Sequence, residues 1–396
     1  MSFIKTPTVL IPKSFIDMEK WSVIACDQFT SEPEYWEQVK SMVDNVPSTY
    51  HIILPEAYLE KNMDYQIEKV NETMKLYLRN NIFDEHDGFI LVDRKTPFVK
   101  RRLGLVIAID LEEYEYEVGK FGKIRATEKT IAERIPPRVR IRENAPIELP
   151  HVLVLVDDAL DPIINDLFKQ RKSFEQLYDF NLNMNGGHIK GYKITDTLSI
   201  IKRIEALSSD VSLIVGDGNH SLAAAKTCWE NIKKNLTEKE QETHPARYAL
   251  VELISLYDKG LTFEPIHRII FGATKTLIDG LKEYMVGEST LSIFYGDEEE
   301  IINVPSNSFE CIKQIQDYLD KYLEEHFEAK IDFIHGLENM KTIVKKTEKA
   351  IGISLPQLQR ELLLPYIREN GVLPRKSFSL GEAVEKRYYL EGKKIL

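Results

Sequence analysis

Val211-Ser212-Leu213-Ile214-Val215-Gly216-Asp217-Gly218-Asn219-His220-Ser221-Leu222-Ala223-Ala224-Ala225-Lys226 is the stretch on which the reading of the chain turns. Residues 211–215 are short, apolar and largely β-branched, which predicts a buried strand. Ser221 to about Asn235 is rich in Ala, Lys and Glu and predicts a helix. Between them stands a turn with two glycines, a residue type that accepts positive φ and lets backbone approach a ligand closely. The N–H groups and dipole of a helix N-terminus attract anions. Gly216, Gly218, Asn219 and Ser221 are therefore candidate phosphate binders. Asp217 offers a carboxylate to a metal or a proton, and His220 a titratable imidazole. A tight turn capped by Asn219 or Ser221 is the plainer account of the same residues.

The 396 residues allow one large domain or two. The division expected is an α/β region over 1–145 and a second over 146–396 that carries the turn. A hydrophobic content of 43% suits an ordinary globular core. The net charge of −11 argues against nucleic acid and against an anionic membrane surface as partners. No apolar run reaches the ~18 residues of a membrane span, and Met1 to Pro7 has no signal-peptide core. Cys26, Cys228 and Cys311 are odd in number and lack zinc spacing, so a reducing cytoplasm is expected. A homodimer is compatible with this composition.

Outward from the turn, strands and helices alternate irregularly, which predicts an α/β or α+β fold with a mixed sheet. Trp21 to Asp27 reads as a strand ending in a polar turn, with Asp27 either a site residue or an Asx-turn residue. Thr30 and Pro33 open a helix running to about Val43, and residues 57–79 form another. Strands are expected at 88–93 and 103–111, the latter in a hairpin with Tyr114 to Val118. Thr127 caps a helix from Glu128 to Ile135 that Pro136-Pro137 ends. His151 to Asp158 is a strand, 162–178 a helix, 195–207 a helix, and 246–256 a strand. Ile312, Ile315, Leu319 and Leu323 form one stripe of a helix over 309–327.

Residues 123–142 carry Lys123, Arg125, Lys129, Arg134, Arg138, Arg140 and Arg142 in an otherwise acidic chain. Guanidinium forks suit carboxylate or phosphate, so at least one of Arg125, Arg134, Arg138 and Arg140 is expected to reach the turn at 216–221. His267-Arg268, inside an apolar run, is a second candidate site, a paired core histidine being the alternative. The segment 372–383 is apolar and basic, and is expected to close over the site with Arg375 or Lys376 inward.

Asp217-Gly218-Asn219-His220-Ser221 before an Ala-rich helix resembles the phosphate-binding box of the ParB/sulfiredoxin/free-serine-kinase superfamily. In that box a glycine precedes His-Arg at a helix N-terminus and binds nucleotide phosphates. Ser221 stands here in place of the arginine, so part of the phosphate grip must come from elsewhere. The resemblance implies a ParB/sulfiredoxin-like core elaborated at both ends. It also implies an upstream acid that serves the kinases as a base, for which Glu128 is the best match. Over nearly its whole length the chain resembles a bacterial and archaeal family of conserved proteins, domain of unknown function one-thousand-and-fifteen. The matching stretches are Ala25-Cys26-Asp27-Gln28, Arg125-Ala126-Thr127-Glu128, Gly216 to Ser221, Pro265-Ile266-His267-Arg268 and Leu373 to Ser379. Together these resemblances imply phosphoryl chemistry on serine or phosphoserine.

The expected function is Mg²⁺-dependent phosphoryl transfer, by a kinase or a phosphatase, on a small phosphorylated metabolite, with ATP or another nucleotide as cofactor. The turn would cradle phosphate, Arg125 and Arg138 would neutralise charge, and His267 and Arg268 would complete the pocket. Asp217 would hold the metal, and His220 or Glu128 would move the proton. A nucleotide-dependent binding switch is the second reading. A metal-dependent hydrolase using His220, His267, Asp27 and Asp217 is the third.

Overall fold

The strand beneath the turn, Leu213–Asp217, lies inside a mixed sheet of ten strands among the described residues. The computed structural model describes residues 2–59, 63–117, 119–207 and 210–396. These fall into two compact units, Met1–Ala126 with Thr130–Leu261 and Glu382–Leu396, and Thr127–Lys129 with Thr262–Gly381.

The ten-stranded sheet belongs to the first unit. From one edge it runs Gln176–Leu182, Gly187–Ile194, Phe89–Lys95, Arg102–Asp110, Tyr248–Ser255, Leu153–Val156, Leu213–Asp217, Ile124–Ala126 and Tyr114–Glu115. Ile4–Lys5 pairs beside Arg102–Asp110. Strands from both sides of residue 145 share this sheet. Pairing is parallel between Leu153–Val156 and Tyr248–Ser255, between Leu213–Asp217 and Ile124–Ala126, and between Tyr114–Glu115 and Ile124–Ala126. The other pairs are antiparallel. All nine residues of Arg102–Asp110 are buried, as are all four of Leu153–Val156. That is why these strands read as unbroken apolar runs rather than alternating ones.

Four local expectations are corrected. Tyr114–Glu115 forms no hairpin with the strand before it and pairs in parallel with Ile124–Ala126; Val118 lies outside the described residues. Pro136 and Pro137 do not end a helix but stand in the first turn of one, Ile135–Arg142. The missing proline N–H groups cost nothing there. The helix predicted over 162–178 is Ile163–Gln170 alone, followed after a short turn by the strand Gln176–Leu182. Tyr178 and Leu182 repeat on one buried face of that strand, a period-two pattern that overrides helix propensity. Trp21 ends a one-turn helix capped by Asp17, and only Val23–Ile24 is strand. That short strand pairs with Tyr388–Tyr389 and so brings the chain's end beside Cys26.

The second unit is an antiparallel sheet in the order Glu298–Val304, Ser289–Tyr295, Ala350–Ile353, Phe263–Phe271 and Lys330–His335, with Phe378–Leu380 pairing to the start of the fourth strand. The helix Ser308–Glu325 buries Ile312, Ile315 and Leu319, as its stripe predicts. Met340 and Val344 of the helix Leu337–Lys346 pack with Ile269, Phe294 and Ala350. No helix among the described residues is long and apolar enough to cross a membrane.

Candidate functional site

The turn at the end of Leu213–Asp217 is built as its glycines suggest. Gly218 has φ 85° and ψ 23° and stands at the N-cap of the helix Asn219–Ile232. A Cβ there would lie 3.0 Å from Val152 Cγ2 and 3.1 Å from Val152 Cα. Gly218→Ala is therefore expected to cost about 1–3 kcal/mol, from left-handed strain plus crowding. Urea unfolding measures this, and a loss below about 0.5 kcal/mol would show that the turn accepts an L residue. No side chain caps the helix, so neither Asn219 nor Ser221 is the expected cap. Asn219 Oδ1 is buried without a hydrogen-bond partner. Asp217 Oδ1 accepts the Gly218 N–H at 2.9 Å, and its Oδ2 lies 3.0 Å from Lys386 Nζ.

Ser221, on the first turn of the helix, begins a hydrogen-bonded relay. Its Oγ lies 3.0 Å from His151 Nε2, and His151 Nδ1 lies 2.9 Å from the Tyr389 hydroxyl. Tyr389 donates to Cys26 Sγ at 3.0 Å and accepts the Cys26 N–H at 3.3 Å. With the tyrosine proton directed at sulfur, His151 Nδ1 carries the hydrogen of the bond to Tyr389. Nε2 is then an acceptor facing Ser221. Burial holds His151 below its usual imidazole range. Arg138 and Arg387 push the same way, while Asp27 and Asp217 oppose. Burial works to raise the Asp27 carboxyl, but His151, Gln28, Lys386 and Arg138 outweigh it and hold it below the usual range. Burial, with Asp27 beside it, pushes the Cys26 thiol up to about 11, so Cys26 is a neutral hydrogen-bond partner at physiological pH.

Beside the relay lies a pocket of about 140 Å³. Ile52, Leu54, Met74, Ile141, Ala145 and Leu149 give it an apolar wall, and Ser221, His151, Cys26 and Tyr389 also line it. Arg138 and Arg142 border it as well, the first paired with Glu56 and the second with Glu148 at 2.5 Å.

The candidates read from the sequence are distributed as follows. In the first unit Gly216 and Asp217 end the strand, Gly218 makes the turn, and Asn219, His220 and Ser221 open the helix. Arg138 lines the same pocket as Ser221. Arg134 pairs with Glu56, and Arg140 with Asp64. Arg125 is buried in its strand beneath Phe121, with Nη1 lacking a hydrogen-bond partner. His220 Nε2 accepts the Ile131 N–H at 3.1 Å.

Glu128 belongs to the second unit. Its two oxygens accept the N–H groups of Lys376 and Ser377 at 3.1 and 3.0 Å, and burial raises its pKa. It thereby holds the turn of the segment that contains Arg375 and Lys376. His267 Nδ1 accepts the Leu355 N–H at 3.0 Å, and burial, with Arg268 beside it, lowers its pKa to about 4. Arg268 is fully buried and donates to Gln316 and to the carbonyls of Ile266, Lys376 and Arg375. His267, Arg268 and Glu128 thus each hold backbone or side chains of their own unit. Among the described residues no group of three or more His, Cys, Asp or Glu side chains is arranged to hold a metal ion.

His151, Lys386 and Tyr389 are the residues that sequence reading missed. His151 stands just ahead of the apolar strand Leu153–Val156, where no local pattern marks it. Lys386 and Tyr389 lie more than 160 residues beyond the turn in sequence, and the pairing of Tyr388–Tyr389 with Val23–Ile24 helps to bring them in.

Residues 10–359 match the family model described as "Protein of unknown function (DUF1015)". No curated protein matches the chain. Among solved structures, a conserved hypothetical protein from Pyrococcus furiosus is 12% identical with a TM-score of 0.36, over 72% of this chain and 90% of that one. A free serine kinase in complex with AMP is 10% identical with a TM-score of 0.38, over 71% and 98%. SbnI from Staphylococcus aureus, truncated at its C-terminus, is 9% identical with a TM-score of 0.39, over 70% and 82%. At these scores the likeness decides nothing about activity.

Proposed function

The chain belongs to the family described as protein of unknown function (DUF1015), and we propose that its first unit binds a phosphate group at Gly216 to Ser221 and transfers it to or from a small metabolite. The observation that carries this reading is Lys386. Its buried ammonium is fixed 3.0 Å from Asp217, beside a helix N-terminus that no side chain caps. A held cation next to first-turn amides favours a phosphate. Phosphoryl transfer asks for positioning and charge stabilisation more than for covalent chemistry by the protein. Arg138 supplies a second positive group within electrostatic range of His151 and Asp27. His151, with Nε2 facing the Ser221 hydroxyl, is the group placed to take a proton. A kinase and a phosphatase would use the same parts and differ in the acceptor.

Mg²⁺ does not fit Asp217 as a resident ion. One carboxylate oxygen holds the Gly218 amide and the other holds Lys386, whose ammonium stands where the ion would. With a nucleotide, Mg²⁺ arrives on the phosphates, which supply much of its oxygen shell. Three free cysteines support a reducing compartment.

The test uses inorganic phosphate, phosphoserine, p-nitrophenyl phosphate, and serine with Mg-ATP. Melting temperature and turnover are both recorded. At least one phosphate compound should raise the melting temperature, and at least one substrate should turn over. Lys386→Met should weaken phosphate binding at least ~10-fold, the loss of one charged hydrogen bond. EDTA should leave p-nitrophenyl phosphate turnover intact. No stabilisation and no turnover with any of these compounds would overturn the proposal.

A further inference from the structure

We infer that Ser221 is a covalent nucleophile with His151 as its base, and that the substrate is the phosphate ester of an apolar alcohol whose hydrocarbon end fills the adjoining pocket. The phosphate clause rests on the proposed function; the nucleophile does not.

Three observations carry this. A weak nucleophile is activated when a base lies within hydrogen-bond reach and a third group orients that base. Ser221 Oγ, His151 Nε2 and the Tyr389 hydroxyl meet that requirement at 3.0 and 2.9 Å. Ser221 follows a strand and a glycine turn and stands in the first turn of a helix whose N-terminus no side chain caps, and a helix N-terminus favours developing negative charge. The pocket that both residues line is walled mainly by aliphatic side chains and measures about 140 Å³. An apolar cavity of roughly 150 Å³ holds benzene. Serine itself has no group for such a space, whereas a phenyl ring or a branched alkyl group has. Cys26 lines the pocket too, but its thiol stays protonated at neutral pH and is no rival.

In the forward step the Ser221 proton passes to His151 Nε2 as Oγ forms a bond to phosphorus. The bond from phosphorus to the alcohol oxygen breaks, and that oxygen takes the proton from His151. Water then attacks the phosphoserine and gives its proton to His151. Ser221 recovers that proton as the bond from Oγ to phosphorus breaks, and inorganic phosphate leaves.

A fluorophosphonate reports the nucleophile without knowledge of the substrate, since serine oxygen displaces fluoride at phosphorus. Full-length protein is treated with a phenyl and with a methyl fluorophosphonate, and the adduct is located by intact mass and peptide mapping. One adduct is expected, on Ser221, absent from Ser221→Ala and formed at least ~10²-fold more slowly by His151→Gln. The phenyl reagent should react at least ~10-fold faster than the methyl one, because only it buries a ring in the pocket. Should His151→Gln fail to fold, the pH profile of the wild type decides. His151 faces Asp27, Asp217, Arg138, Arg387 and Tyr389, with Cys26 behind the tyrosine, and its pKa is lowered. Labelling should therefore rise to a plateau with its midpoint below the ordinary histidine value of about 6.5. A rate still climbing ~10-fold per pH unit above pH 8, equal rates with and without His151, or no adduct on Ser221 in folded protein would each overturn the nucleophile. Equal rates for the two reagents would overturn the apolar substrate. An adduct without any phosphate binding would retire the phosphate clause alone, and phosphate binding without an adduct would retire the nucleophile alone.

Discussion

Arg387→Met is expected to destabilise the first unit by about 3–5 kcal/mol, the loss typical when one partner of a buried ion pair is removed. Arg387 is 3% exposed and stands between two buried carboxylates. Its Nη2 lies 2.8 Å from Glu391 Oε2, and its Nε lies 2.9 Å from Glu252 Oε2, the latter an ion pair at an angle poor for hydrogen bonding. Burial works against its charge, yet Glu391 and Glu252 outweigh this and raise its pKa. Tyr178 donates to Glu391 at 2.6 Å. Gly104 leaves room for Glu252, since a Cβ there would fall 2.1 Å from Glu252 Oε1. Methionine keeps most of the volume and removes the charge, leaving two buried carboxylates without their shared cation. Urea unfolding should show a lower midpoint at an unchanged slope. Adding Glu252→Gln and Glu391→Gln should restore part of the loss, because neutral amides remove the uncompensated charge. A single variant within 1 kcal/mol of the wild type would show that water or local relaxation already solvates the site.

That network shows where the sequence stops being legible. Local patterns announced the strand Leu213–Asp217, the glycine turn and the Ala-rich helix, because each is set by neighbours a few residues apart. Gly218 was identifiable for the same reason, its left-handed φ being a local demand. The prolines at 136 and 137 misled, because two prolines mark a helix start as well as a helix end, and only the packing of Ile135–Arg142 against Asn219–Ile232 chooses between them. Helix propensity over 162–178 likewise gave way to the two-residue period of Tyr178 and Leu182. Arg387, Lys386 and Tyr389 sit in a tail with no periodicity to mark them. They act through pairing with Val23–Ile24, more than 360 residues away in sequence, and no local rule carries information over that distance. His151 was hidden differently, as a polar residue at the lip of an apolar run.

The two histidines nearest Ser221 make the second large effect separable. His151→Gln is expected to lower kcat for p-nitrophenyl phosphate by ~10²–10⁴-fold with little change in KM, the signature of a proton carrier used in the transition state. Glutamine can still reach Tyr389 and Ser221 but cannot take a proton. His220→Ala is expected to act differently, because its Nε2 accepts the backbone N–H of Ile131 at 3.1 Å. Losing that acceptor costs about 1–3 kcal/mol if the amide is left unsatisfied. The melting temperature should fall while the folded fraction keeps its kcat. Circular dichroism fixes the folded fraction before either rate is compared. If His220→Ala instead loses kcat and His151→Gln keeps it, the proton moves on the helix and not across the sheet. His151 would then be a structural support for Ser221. If both lose kcat equally without loss of stability, the histidines work in series, and the Ile131 amide becomes the group that orients the second of them.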